Sequence, residues 1–323
     1  MTFSLNKIHK AVNWNKEDDN FTQAFWDQNV KQFWLPEEIS VSKDLKVWNE
    51  LKENEKILYK KVLAGLTLLD TKQGNNGIPS MMSLTDNLQR KAVLSFMGTM
   101  EEIHAKSYSS IFTTLLSNRE IDELFDWIES EETLQRKADL ILQQYENTTD
   151  EKSLYLSMVT SVFLESFLFY SGFFYPLFLA GQGKMVASGE IISLILRDES
   201  LHGKYIGLLA QEKFEKFNEE ERKELKNKMY EIFNNLMENE IKYTKLIYHE
   251  SGLEEEVINF LQYNANRALE NLGFEDYYEV KDINPIVLNG LSTETKTHDF
   301  FSTKGNGYQK GIYEELEDED FII

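Results

Sequence analysis

Residues 154–180, LYLSMVTSVFLESFLFYSGFFYPLFLA, form the most apolar stretch of the chain, and one carboxylate, Glu165, stands near its centre. A run of this length could cross a bilayer as a helix. A helix that is apolar all round is buried either in lipid or in a large protein core. The central carboxylate and the lack of flanking Lys/Arg clusters disfavour lipid. The stretch is therefore expected as a core helix. Its carboxylate then needs a partner, because buried charges persist when they are paired or bound to metal. With 4 prolines in 323 residues, 41% hydrophobic and 28% charged residues, the chain is expected to be a soluble, mostly helical protein.

Apolar periodicity marks the other elements. A short helix is expected over about 21–30, then a turn at Pro36 within Phe33-Trp34-Leu35-Pro36-Glu37-Glu38. A long helix over about 43–73 should stop in Gln73-Gly74-Asn75-Asn76-Gly77. Further helices follow over about 84–117, 119–129, 131–146, 151–180 (kinked at Gly172 and Pro176), 184–214, 218–250 with Asn218 as N-cap, and 253–271. The first 20 residues read as polar and irregular. After Pro285 the composition turns to Thr, Ser, Gly and acids, and an acidic block precedes Phe321-Ile322-Ile323. The expected organisation is a helical domain, 1–289, and a flexible tail, 290–323.

The helix over 84–117 places Glu101, His104 and Tyr108 at i, i+3 and i+7, on a face shared with Leu94, Met97 and Leu115. A carboxylate and an imidazole aimed together into a core point to a metal ion. The Glu-x-x-His pattern recurs at Glu199/His202. Acids are 55 of 323 residues, so with five histidines roughly one such pair is expected from composition alone. Position is what separates these two pairs from chance, since both lie in long apolar helices. Glu165 and Asp70, the latter after Leu68-Leu69, supply a carboxylate from each of two further helices. That is the donor set of a ferritin-like bundle with a dimetal-carboxylate site. Four carboxylates and two imidazoles suit Fe or Mn.

Blander readings stand beside these. Glu165 could pair with Arg197, and Asp70 could be an ordinary polar residue near a helix end. Tyr108 is one of 15 tyrosines and Trp34 could be a plain core aromatic. His9, His249 and His298 have no acid three residues earlier and read as surface residues.

A formal net charge of −21 opposes nucleic acid and anionic membrane as partners. The absence of cysteine excludes disulfides, zinc fingers, iron–sulfur clusters and thiol catalysis, and fits a cytoplasmic protein. The N-terminal MTFSLNKIHKAVNW has no apolar core of a signal peptide.

Asp70-Thr71-Lys72-Gln73, Glu101-x-x-His104-x-x-x-Tyr108, Glu165 and Arg197-Asp198-Glu199-x-x-His202 together resemble the small, radical-generating subunit of class I ribonucleotide reductase. The resemblance covers nearly the whole chain, and its length and tail look most like the class Ib form, which uses a dimanganese or diiron centre. It implies an all-α, ferritin-like fold and a homodimer. It also implies a large (alpha) partner subunit and, where manganese is used, a flavodoxin-like activator protein. Asp70, Glu101 and His104 would bind one metal, and Glu165, Glu199 and His202 the other, with Glu101 and a second carboxylate bridging. Tyr108 would carry the radical, in a pocket of Phe169, Phe173 and Ile195. Trp34, linked through Asp198 to His104, would begin the electron route, and Tyr308 in the tail would hand the oxidising equivalent on, with Tyr313 as its competitor. The final acidic and apolar residues would dock on the large subunit. A ferritin-like oxygenase, oxidase or metal-storage protein shares the Glu-x-x-His pairs. Asp70 as first ligand, Tyr108 four residues past His104 and the tail set this chain apart from those.

Overall fold

The structure is a computed structural model and describes residues 9–16 and 19–291. Among the described residues there are thirteen α-helices and no strand: α1 (Thr22–Lys31), α2 (Leu45–Glu50), α3 (Glu53–Lys72), α4 (Ile78–Leu84), α5 (Leu88–Leu115), α6 (Asn118–Ser130), α7 (Glu132–Glu146), α8 (Glu151–Phe163), α9 (Tyr170–Gly181), α10 (Val186–Glu215), α11 (Glu219–Tyr248), α12 (Glu254–Asn271) and α13 (Pro285–Leu291). α3 packs on α5, α10 packs on α8 and α9, and contacts of α3 with α9 and of α5 with α10 close a central bundle. α11 lies over α7 and α8, α12 over α9, and α13 along α9.

The apolar stretch 154–180 is in the core as expected, with Val159, Val162, Phe163, Leu164, Phe167, Phe169 and Phe173 all buried. Asn218 caps α11 as expected. Its side chain accepts the Glu221 N–H at 3.0 Å, and Glu221 in turn accepts the Asn218 N–H at 3.2 Å.

Three expected boundaries differ. The long helix over 43–73 is broken at Leu51 and Lys52, both with extended backbone. Lys52 serves as N-cap with no side-chain oxygen of its own. Glu55 accepts its N–H at 2.9 Å instead, so no Ser, Thr, Asp or Asn marks the start. Next, Gln73–Gly77 does not end the helix. It winds as one π-helical turn and leads directly into α4, with the Gln73 side chain held in the core by Ser161, Glu165 and Tyr145. Lastly, the interruption in 151–180 falls at a π-helical segment, Leu164–Leu168, not at Gly172 or Pro176, which both lie inside α9. The Phe169 N–H reaches back five residues to the Leu164 carbonyl, 3.3 Å away. One residue more per turn is accommodated there, a distortion often found at functional positions.

α13 runs to Leu291, two residues past the expected end of the helical domain at 289. The rest of the expected tail, with Tyr308, Tyr313, His298 and the acidic end, lies outside the described residues.

Candidate metal centre

Four elements of the bundle each turn one face inward. α3 brings Asp70 from its last turn. α5 brings Glu101 and His104, one turn apart. The π segment after α8 brings Glu165, and α10 brings Glu199 and His202. All six side chains are completely buried. Their donor atoms fall into two groups, Asp70/Glu101/His104/Glu199 and Glu101/Glu165/Glu199/His202, with the atoms of each group within 4.8 Å of one another. Glu101 and Glu199 belong to both groups. The structure thus brings together all six residues expected from the sequence, and it places two carboxylates between two donor clusters.

The contacts inside the cluster are close but are not hydrogen bonds. His104 Nδ1 lies 2.8 Å from Glu199 Oε1 and 3.3 Å from Asp70 Oδ1, and His202 Nδ1 lies 2.9 Å from Glu101 Oε1. Yet both Nδ1 atoms, both oxygens of Asp70, Glu101 and Glu199, and Glu165 Oε2 have no hydrogen-bond partner among the described residues. Atoms this near that fail the angular requirement of a hydrogen bond are aimed at shared points rather than at each other. Leaving so many buried polar atoms unsatisfied is expensive in an ordinary core.

The electrostatics say the same. Burial, reinforced by the neighbouring carboxylates Glu101 and Glu165, pushes Asp70 up to about 7 and raises Glu199 well above the usual carboxylate range. Burial also works to raise Glu101, but His104 and His202 outweigh it and hold that group low. Burial alone would lower the two imidazoles. Contact with the acids carries His202 up to about 9 and His104 well above its ordinary value. With all four carboxylates ionised and both imidazoles neutral, the buried cluster would carry a charge of −4, which two divalent cations would neutralise. The donor chemistry and the orphaned atoms both fit a dinuclear metal centre.

A second layer of contacts fixes the first. Asp198 Oδ2 lies 3.2 Å from His104 Nε2 and accepts the Trp34 indole N–H at 2.7 Å. Asp198 Oδ1 accepts from Gln32 at 2.9 Å and from Arg197 at 3.4 Å. An Nε2 proton donated to Asp198 would leave the His104 Nδ1 lone pair for the cluster. Burial works to raise Asp198, but His104 and Arg197 overcome it and keep the acid below its ordinary value. The Trp34 and His104 rings stack at 6.2 Å.

Tyr108 is completely buried, one helical turn beyond His104, and its hydroxyl has no hydrogen-bond partner among the described residues. Burial, then the charges of Asp70, Glu199 and Glu101, raise its pKa well above that of a free phenol. Phe169, Phe173 and Ile195 are completely buried as well.

The blander readings resolve individually. Arg197 donates to the Gln32 carbonyl and to Asp198, and Glu165 is held by Gln73. Asp70 is in the core rather than at an exposed helix end. His9 and His249 are exposed, as expected. Sequence reasoning missed Gln32, Gln73, Tyr145 and Ser161. Gln73 had a readable signal, since it follows Asp70 by three residues on one helical face. The other three had none.

The profile of the family "Ribonucleotide reductase, small chain" matches residues 11–285. The ribonucleoside-diphosphate reductase subunit beta of Bacillus subtilis (strain 168) is 56% identical over 322 residues, 99% of this chain and 98% of that protein. Subunit beta of ribonucleoside-diphosphate reductase 2 from Escherichia coli (strain K12) is 42% identical over 314 residues, 96% of this chain and 97% of that protein. Among solved structures, the dimanganese(II)-NrdF of Streptococcus sanguinis superposes with a TM-score of 0.85 at 45% identity, over 88% of this chain and 100% of that one.

Proposed function

The chain belongs to the ribonucleotide reductase small-chain family, and from that premise we propose that its buried centre generates a tyrosyl radical on Tyr108 and passes it outward through Trp34. The family's small chain works with a large subunit in ribonucleoside-diphosphate reduction, and its centre is a dinuclear metal site with a tyrosyl radical. The observation that carries the residue assignment is the convergence of unsatisfied, fully buried donors on two points that share Glu101 and Glu199.

Asp70, Glu101 and His104 would hold one ion and Glu165, Glu199 and His202 the other, with Glu101 and Glu199 shared. Two Mn or two Fe ions suit this set. Bound there, the metal pair supplies the oxidising chemistry a phenol needs to lose an electron. This chain's residues do the rest. The core around Tyr108 keeps water and reductants from the phenol, and its raised pKa keeps the hydroxyl protonated until electron and proton leave together. Phe169, Phe173 and Ile195 serve as the apolar shield. Asp198 holds the Trp34 N–H and the His104 Nε2 proton on one oxygen, which couples the cluster to an indole on the far side. Tyr308 is the proposed next carrier, with the acidic and apolar C-terminal residues docking on the large subunit. Reduction of a ribose by protein thiols needs cysteine, and this chain has none, so those thiols belong to the large subunit.

We further propose a homodimer, a flavodoxin-like activator protein if manganese is the metal, and a cytoplasmic location for this soluble protein. The test is electron paramagnetic resonance of the purified full chain, loaded with Fe(II) and O₂, or with Mn(II) and the activator. A tyrosyl signal is expected from the wild type and none from Tyr108→Phe. Retention of the signal in that variant would mean another tyrosine carries it.

A further inference from the structure

Beside the donor cluster lies a buried polar chain that the roles above do not use. Gln73 Nε2 donates to Glu165 Oε1 at 2.5 Å and to Ser161 Oγ at 2.6 Å, while its Oε1 accepts the Tyr145 hydroxyl at 2.7 Å. Gln73 is completely buried, and Tyr145 and Ser161 are buried with it. Both donor hydrogens of the amide are therefore in use and its oxygen is engaged. The orientation is enforced from two ends. A flipped amide would set its carbonyl oxygen against the Glu165 carboxylate and lose the Tyr145 O–H bond.

The backbone is shaped for this arrangement. Gln73 opens the π turn that carries the chain past Asp70. Gly77 closes the same turn, and a Cβ there would lie 2.3 Å from Gln73 Oε1 and 2.8 Å from the Tyr145 ring. A side chain at 77 would displace the amide, the ring or both. The glycine that reads in the sequence as a helix stop is the space in which Gln73 and Tyr145 meet.

The consequence falls on one carboxylate oxygen. Glu165 Oε1 is tied to Gln73, whereas Oε2 has no hydrogen-bond partner and faces His202 Nδ1 at 3.7 Å. We propose that Gln73, locked by Tyr145, is a positioning residue for the metal centre: it occupies Glu165 Oε1 and leaves Oε2 as the atom Glu165 offers. Glu165 belongs to only one of the two donor groups. Gln73 therefore tunes one of the two ions, the one on the His202 side. This inference rests on the dinuclear reading above.

Mn(II) titrated into the metal-free full chain tests it, with free ion counted from its six-line electron paramagnetic resonance signal. The wild type is expected to bind two ions per chain. In Gln73→Leu one ion should bind as in the wild type and the other about 10–100-fold more weakly, the usual cost of losing an outer-shell partner. Near two equivalents, that variant should leave more free Mn(II) in the six-line signal and show less of the broad signal of a coupled pair that the wild type gives. Tyr145→Phe removes only a hydroxyl and should weaken the same ion about fivefold. It decides the question alone if Gln73→Leu does not fold. Unchanged binding of both ions in the variant that decides, or equal weakening of both ions, would overturn the role given to Gln73. A wild type that binds no Mn(II) would instead overturn the dinuclear reading itself, and this inference with it.

Discussion

The Trp34 indole N–H is 2.7 Å from Asp198 Oδ2, and the same oxygen is 3.2 Å from His104 Nε2. A single carboxylate atom thus joins an aromatic side chain from the segment after α1 to an imidazole of the donor cluster on α5. Trp34 is buried, its ring stacks on His104, and Arg197 and Gln32 saturate the other carboxylate oxygen. Such an arrangement fixes the placement of the indole relative to the imidazole.

If Trp34 begins the route outward, Trp34→Phe separates radical formation from radical use. The variant keeps an aromatic ring but loses the N–H to Asp198, at a cost of about 1–3 kcal/mol in folding stability. Its tyrosyl signal should persist while turnover with the large subunit falls to background. Turnover near the wild-type level would remove Trp34 from the route.

The tail makes a parallel prediction. Tyr308→Phe should keep the radical and lose turnover, whereas Tyr313→Phe should keep both. The reverse outcome moves the assignment to Tyr313. Deleting the chain from Glu314 onward should leave the radical yield intact and abolish activity by weakening binding to the large subunit, readable as lost co-sedimentation.

Gly172 is predicted to be a packing position, not a hinge. A Cβ there would lie 2.6 Å from both Cγ and Cδ2 of Leu66, across the contact between α3 and α9. Gly172→Ala should therefore destabilise by about 1–3 kcal/mol through overpacking, despite alanine's better helix propensity of ~1 kcal/mol. Urea unfolding of the metal-free chain measures this. A variant more stable than the wild type would show that Leu66 yields easily.

Arg90 supports a pH prediction remote from the metal ligands. It pairs with Asp19 at 2.9 Å and with Glu212 at 2.5 Å. Burial works to raise both acids, but Thr22 and Arg90 at Asp19, and Arg90 and Lys216 at Glu212, hold them below their ordinary values of 3.8 and 4.5. A carboxylate whose pKa is depressed by folding stabilises above its unfolded pKa, and that contribution is lost as pH falls through the folded one. The Arg90→Met variant should be less stable than the wild type by about 1 kcal/mol at pH 7, a value limited by solvent screening. The gap should close progressively below about pH 4. A gap that stays constant down to pH 3 would mean the loss is one of packing, not charge.

Much of this was legible before any fold was known. Glu165 announced itself by standing alone in an apolar stretch, and Glu101, His104 and Tyr108 by sharing one helical face. Glu199/His202 repeated the pattern, and Asn218 marked its own helix start. What misled was local chemistry overruled by distant contacts. Gln73–Gly77 has the composition of a helix end, yet Tyr145, 72 residues away, and Glu165, 92 residues away, hold Gln73 in the core. Gly172 and Pro176 look like kinks, yet both lie inside α9, and the distortion falls in the five-residue π segment that carries Glu165.

By itself, then, the sequence marked most of the helices and the inward face that Glu101, His104 and Tyr108 share, because helical periodicity is a local property that a 3.6-residue repeat makes readable. Only the tertiary structure decided which carboxylates stand between the two donor groups, where the helices take an extra residue, and which oxygen of Glu165 is left free. Those outcomes depend on buried side chains from four elements meeting in one cluster, a relation between distant segments that no local repeat encodes.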